Sequence, residues 1–299
     1  MASDQTNQNF AVLTRPEIWS KLILRNLDDY GVMADCVNRD YEGEVKYAGD
    51  TVRISKCGNV TINTHDDTEP ITYETPKGDQ LVLVINQQKD WGFKITTIEQ
   101  RQSNIKDMQA KYSARARLAI TNTKDGFLHT TGFSGVATAN KLGAQTVTKT
   151  DIYDLCLELY QKLADSNAID SDGKAEDGKR PFLILPPALV KIIRKSEEAK
   201  NATTLGDETI RKGTILQFAG FDIKQSTLIK PTEGAYNILA GTKEAITFAD
   251  QILETRAMED KDYFGIFVSG LYVYGAKVVQ PTALASAVVT ISDGSEPST

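Results

Sequence analysis

Histidine is almost missing from this chain of 299 residues, with only His65 and His129 present. His129 has no partner at a useful spacing, so a histidine-based zinc site or a Ser-His-Asp triad is not supported. The three cysteines, Cys36, Cys57 and Cys156, are odd in number and far apart. They fit reduced thiols better than a disulfide framework. No GxxxxGK[ST] or GxGxxG occurs, so no phosphate-cradling loop is supported. No apolar run approaches the ~20 residues of a membrane span. Lys and Arg, 34 together, are outnumbered by 40 Asp and Glu; the net negative charge argues against a dedicated DNA-binding module. The opening MASDQTNQNFAV lacks a basic start and an apolar core, so no signal peptide is expected and synthesis in cytosol is. With 40% hydrophobic and 25% charged residues, what is left is an ordinary folded chain of one large domain or two smaller ones.

Its periodicity changes along the length. After a polar lead of residues 1–14, Ile18, Leu22, Ile23, Leu27, Tyr30 and Met33 fall near helical spacing behind Pro16, predicting a short amphipathic helix in an arm. Val52, Ile54, Val60 and Ile62 alternate with polar neighbours as in a strand. Leu81–Ile85 and Trp91–Ile95 predict a second strand, and the polar HDDTEPITYETPKGD between the two is a solvated tip. Strands of ~13 residues at about 3.3 Å each project roughly 45 Å, and an isolated hairpin of that kind is marginal in water. The rest of the chain offers it no obvious platform. A neighbouring subunit is therefore the expected support, with Val52, Ile54, Val60, Ile62, Leu81 and Leu83 as the intersubunit strip.

Thr96 to Glu99 reads as a capping box opening a helix to about Thr123, with Ile98, Ile105, Met108, Tyr112, Ala116, Ala119 and Ile120 on one stripe. Its other faces carry Arg101, Lys106, Lys111, Arg115 and Arg117 against only Glu99 and Asp107, and the plain reading of such a face is solvation or salt bridging. From Phe133 to about Ala245 the pattern is mixed α/β. Thr150 is expected to cap a helix that buries Ile152, Leu155, Cys156, Leu159 and Leu163. A loop, SNAIDSDGKAEDGKR, follows; then come a strand at Phe182–Leu185 and a helix from Pro186–Pro187 through Lys195. Residues 201–213 are polar. Thr214–Phe218 and Phe221–Lys224 predict a hairpin, Ala235–Thr242 a strand, and Ala245–Ile252 a short helix. Phe264–Val279 is the longest β-rich run, and the tail from Ser292 is polar.

The remaining polar groups assemble no recognisable chemistry. His65 with Asp66 and Asp67 sits on the polar tip, where a solvated turn is the plainer reading than a metal site. Asp170, Asp172 and Gly173 open like a calcium loop, but Lys174 and a missing closing glutamate break the pattern. Glu254, Glu259, Asp260 and Asp262 beside Arg256 read as a charged face meeting basic residues of another subunit. Tyr263, Phe264, Phe267, Tyr272 and Tyr274 lack interleaved basic residues and read as core or interface, not as a stacking platform for nucleic acid. No enzyme, cofactor or metal site is expected.

Two stretches carry a likeness. The first runs through Asn38, Arg39, Asp40, Tyr41, Glu42 and Gly43, then Gly49, Asp50, Thr51 and Val52. The second is Gly270, Val273, Tyr274, Gly275, Ala276, Lys277, Pro281, Ala283 and Leu284. Together, and in order over nearly the whole chain, they resemble the major capsid proteins of tailed double-stranded DNA bacteriophages, a fold shared with encapsulin shells and herpesvirus capsid floors. The resemblance implies an α+β fold with an N-terminal arm (1–44) and a long β-hairpin extended loop (45–93). It further implies a peripheral domain with a long spine helix (94–130 and 246–291), an α/β axial domain (131–245) and a tail (292–299). It implies self-assembly as pentamers and hexamers into an icosahedral head enclosing double-stranded DNA, made in the host bacterial cytoplasm and located in the virion. Arg101, Lys106, Lys111, Arg115 and Arg117 would then face the lumen and the packaged DNA. Portal protein and decoration proteins are implied partners, with no membrane. A separate scaffolding protein is expected, because a 14-residue lead is too short to scaffold. The alternative is an encapsulin-like nanocompartment shell. Some members of this fold weld their shells by a lysine–asparagine isopeptide bond. Here Lys56 and Lys77 are available, but the last asparagine is Asn237 and only Gln251 and Gln280 offer an amide further on, so a non-covalent shell is expected.

Overall fold

The computed structural model describes residues 32–41, 51–56, 62, 73, 78–96, 105–196, 217–259 and 265–292. The arm segment 32–41 holds a 3-10 turn at Ala34–Cys36. Strands β1 (Thr51–Lys56), β2 (Asp79–Val84) and β3 (Gln87–Thr96) come next, then helix α1 (Ile105–Ser134). Strand β4 (Lys141–Val147), helix α2 (Asp151–Asp165), strand β5 (Phe182–Leu185) and helix α3 (Pro187–Lys195) follow. The chain continues through β6 (Gln217–Phe218), β7 (Phe221–Gln225) and β8 (Ala235–Gly241). It closes with β9 (Ile246–Glu259), β10 (Gly265–Val278) and β11 (Leu284–Ile291). Helices and sheets are segregated rather than alternating regularly, which makes the fold α+β.

Two sheets meet across α1. One is three-stranded and antiparallel, ordered β3-β10-β9; the other is six-stranded and mixed, ordered β4-β11-β8-β5-β7-β6. Strand β5 shows why the larger sheet is covered on both faces. Its sequence FLIL is buried at every position, and alternate residues of a strand point to opposite faces. Phe182 and Ile184 join the cluster containing Ile120 and Leu128 of α1. Leu183 and Leu185 join the one containing Leu155 and Leu159 of α2 and Leu189 and Ile193 of α3. Ile152, Leu155, Cys156, Leu159 and Leu163 form the buried face of α2, as their spacing predicts. At Ala219 and Gly220 both φ values are positive, 48° and 85°, the geometry of a tight two-residue hairpin between β6 and β7.

Several expectations from the sequence are corrected. Helix α1 does not stop near Thr123. Thr123 and Thr130 bond back to the carbonyls of Ala119 and Gly126 at 2.8 and 2.9 Å, which lets threonine continue a helix whose later turns enter the core. Thr96 ends β3, and residues 97–104 lie outside the described residues. The Thr150 side chain makes no capping bond; Thr148 donates through N and Oγ1 to Asp151 instead. Ala245–Ile252 is not a helix but a 3-10 turn, Lys243–Ala245, running into β9. The expected second hairpin strand divides at Ile85–Asn86: β2 pairs with β1, whereas β3 pairs with β10. Strand β11 hydrogen-bonds to β4 and β8 and so belongs to the six-stranded sheet.

The root of the hairpin does have a platform in its own chain. Val52, Ile54, Leu83 and Ile85 are buried with Ala249 of β9 and Val273 of β10. Gly275 makes this close approach possible, because a β-carbon there would collide with the Val84 carbonyl oxygen and the Ile85 side chain. Gly275→Ala should therefore lower stability by about 1–3 kcal/mol in thermal or urea unfolding. Gly143→Ala, where nothing lies within 4 Å, should change it by no more than about 0.5 kcal/mol.

Candidate functional site

Arm, helix and smaller sheet converge where residues 32–41 lie along β9. Asn38 donates its N–H to the Ile246 carbonyl at 2.8 Å and accepts from Phe248 at 2.9 Å, a parallel bridge opposite Thr247. Its side-chain oxygen also accepts from the Asp40 N–H at 3.0 Å, a local turn suited to asparagine. Met33, Cys36 and Val37 sink into the main core. Thus the stretch from Asn38 to Tyr41, first notable only as a sequence likeness, is a docking segment. Glu42, Gly43, Gly49 and Asp50 lie outside the described residues.

Beside the bridge sits a buried charge cluster. Lys124 of α1 is fully buried, its Nζ 3.4 Å from Asp250 Oδ2 of β9 and 5.4 Å from the centroid of the Phe248 ring. Tyr272 of β10 donates to the same oxygen at 2.6 Å, and Arg39 of the arm approaches Oδ1 at 3.7 Å. Burial first, and the Asp250 charge second, hold the Tyr272 phenol well above its ordinary value, so it stays protonated and donating. One carboxylate therefore ties arm, helix and both neighbouring strands. Sequence reasoning missed it because Lys124 and Asp250 are far apart and neither sits in a motif. A buried ion pair broken from one side leaves an uncompensated charge, costing about 3–5 kcal/mol. Lys124→Met should show a loss of that order in chemical unfolding, and adding Asp250→Asn should recover part of it in a double-mutant cycle.

Other polar features serve structure. Burial pushes the Cys36 and Cys156 thiols up to about 12, leaving both unreactive. Asp170 Oδ1 accepts the N–H groups of Asp172 and Lys174 at 2.9 and 2.8 Å, so the calcium-like sequence is a self-closed turn. Among the described residues no group of three or more His, Cys, Asp or Glu side chains is arranged to hold a metal ion. Nor, among them, is any helix long and apolar enough to cross a membrane.

The residues anticipated from the sequence scatter. Val52, Ile54 and Leu83 face the interior of this chain, with Leu81 packed beside them, and anchor the hairpin root. Ile62 is 95% exposed and lies outside the strands, while Val60 is outside the described residues. On the outward face Val82 and Val84 are exposed. Lys106, Lys111, Arg115 and Arg117 fall on α1, and Arg115 is exposed. Arg101 lies outside the described residues. The closing motif has physical reasons as well: a β-carbon at Gly270 would meet the Trp91 indole, and Tyr274 packs edge-on to Phe127 at 5.1 Å.

No family model matches the chain, and no curated protein matches it by sequence. Solved structures do. One from Mycobacterium phage Che8 is 22% identical over 87% of this chain and 90% of its own, with a TM-score of 0.68. The capsid structure of cyanophage P-SCSP1u is 13% identical over 86% of both chains at a TM-score of 0.66. The mature capsid of bacteriophage PhiM1 is 12% identical over 87% of this chain and 88% of its own at 0.62. The chain has the phage-capsid fold.

Proposed function

We propose that this chain is the major capsid protein of a tailed bacteriophage, assembling as pentamers and hexamers into an icosahedral head around double-stranded DNA. The observation that carries this is a fold shared along 87% of the chain with a mature phage capsid. On this reading residues 1–44 are the arm and 45–93 the extended loop. The spine helix and the returning chain, 94–130 with 246–291, form the peripheral domain, whose last strand β11 pairs into the six-stranded sheet; 131–245 form the axial domain, and 292–299 are the tail. The phage-capsid structures that the fold matches do not favour the nanocompartment alternative. Arg101, Lys106, Lys111, Arg115 and Arg117 screen packaged phosphates without base specificity. Portal, scaffolding and decoration proteins are the expected partners, assembly takes place in the host cytoplasm, and the virion is the destination.

Negative-stain microscopy of the protein expressed alone tests the reading: uniform polyhedral particles are expected, and monodisperse monomers under every condition would reject it. Replacing residues 57–78 by a short Gly-Ser link keeps the buried root strands, so the subunit should stay folded and soluble while losing closed particles. Mature particles boiled in detergent should release one band near 32.9 kDa, whereas a ladder that survives reductant would point to covalent welding through Lys56 or Lys77.

A further inference from the structure

Asp125 and His129 stand one helical turn apart on α1, so their side chains share a face, and both border a cavity of about 130 Å³. Met33 of the arm, Ile184 of β5 and the Ser226–Ile229 stretch after β7 close the cavity. Asp125 Oδ2 accepts the Val32 N–H at 3.1 Å, and the Met33 N–H bonds to the same carboxylate. The other oxygen, Oδ1, is buried without a partner, and so is His129 Nε2. The His129 ring hydrogen-bonds to the backbone of Asn237; with Nε2 unpartnered, Nδ1 is the donor and Nε2 carries only a lone pair. Two lone pairs therefore border one small cavity, and among the described residues no donor serves either. Buried polar groups left in this state are costly.

We propose that Asp125 and His129 form a proton-operated latch that sets how firmly arm residues 32–41 are held on α1. A single proton on Asp125 Oδ1 converts that atom into a donor, able to serve His129 Nε2 directly or through one water, while Oδ2 keeps its grip on the arm. The surrounding charges do not substitute for it. Lys124 precedes Asp125 in the helix, but its ammonium is committed to Asp250. Lys224 of β7 pairs with Asp35 of the arm at 3.8 Å. Asp35 repels the Asp125 carboxylate, and Asp222 of β7 adds negative charge nearby, at Cys36. The Cys36 thiol stays neutral, and burial lowers the pKa of His129, keeping the imidazole neutral as well.

Burial raises the Asp125 carboxyl from 3.8 to about 6 in spite of the two N–H bonds and Lys124. A carboxyl raised on folding contributes stability that is complete below its unfolded value and is lost as pH rises through its folded value. The arm is therefore held more tightly in mild acid than in mild base, by about tenfold in the closing equilibrium between pH 8 and pH 5. Hydrogen exchange of the full chain, corrected for the chemical exchange rate, reads this at the Val32 and Met33 amides. Their protection should rise about tenfold from pH 8 to pH 5, with the rise setting in near pH 6. Asp125→Asn keeps an acceptor for the arm and removes the charge, so it should give high protection at both pH values. A carboxyl-carbon NMR titration of unmodified protein supplies a second reading, with the Asp125 midpoint near 6. A flat wild-type exchange profile, an ordinary aspartate midpoint or an unchanged pH response in Asp125→Asn would overturn the latch.

Discussion

A lysine with no exposed side-chain surface must be answered by an anion, and in this protein Asp250 is that anion. Burying two charges costs several kcal/mol per ion unless geometry and further hydrogen bonds compensate. Asp250 obtains both, from Lys124 at one oxygen with Tyr272 beside it and from Arg39 at the other. Each contributor belongs to a different element. Rotating α1, slipping β9 by one residue or lifting the arm would strand a charge, because a one-residue slip sends a strand's side chains to the opposite face. The cluster therefore sets the rotation, the register and the arm position together.

Around that knot the chain is laid out so that its reaching parts have fixed feet. The hairpin root is clamped by Ala249 and Val273, and the arm segment by Asn38 on β9. Lone two-stranded ribbons are marginal in water, so a reaching element gains a defined direction only from a buried root. Val82 and Val84 then remain exposed on the outward face of the same strand. The division between a buried root and an exposed outer face follows from the two-residue period of the strand, since Leu83 points inward between them.

The same period explains what the sequence could and could not tell. The buried face of α2 and the whole of β5 were legible because every inward position is apolar. Strand β9 was misread as a helix because its inward series, Ile246, Phe248, Asp250 and Ile252, contains an aspartate. That aspartate breaks the strand alternation, and Ala249 on the opposite face is buried too. The residue that hid the strand is the one that holds the structure together. Lys124 was equally silent, lying just past the expected end of the helix near Thr123 and belonging to no motif. The hairpin platform was invisible because Ala249 and Val273 lie far along the chain from Val52 and Leu83. By contrast, the Asn38–Tyr41 and Gly270–Leu284 stretches were legible through likeness to a family before their physical reasons were known.

Those reasons also account for the thinness of the sequence signal. Cores accept extensive hydrophobic exchange provided volume and pattern are kept. What cannot be exchanged is the close approach of Gly270 to Trp91 and of Gly275 to the hairpin root, the backbone bridge at Asn38 and the single carboxylate that satisfies Lys124. Such positions are few and spread across the chain. A fold can consequently persist at a TM-score of 0.68 while identity falls to 22%, because backbone geometry is constrained everywhere and side-chain identity only at a few points.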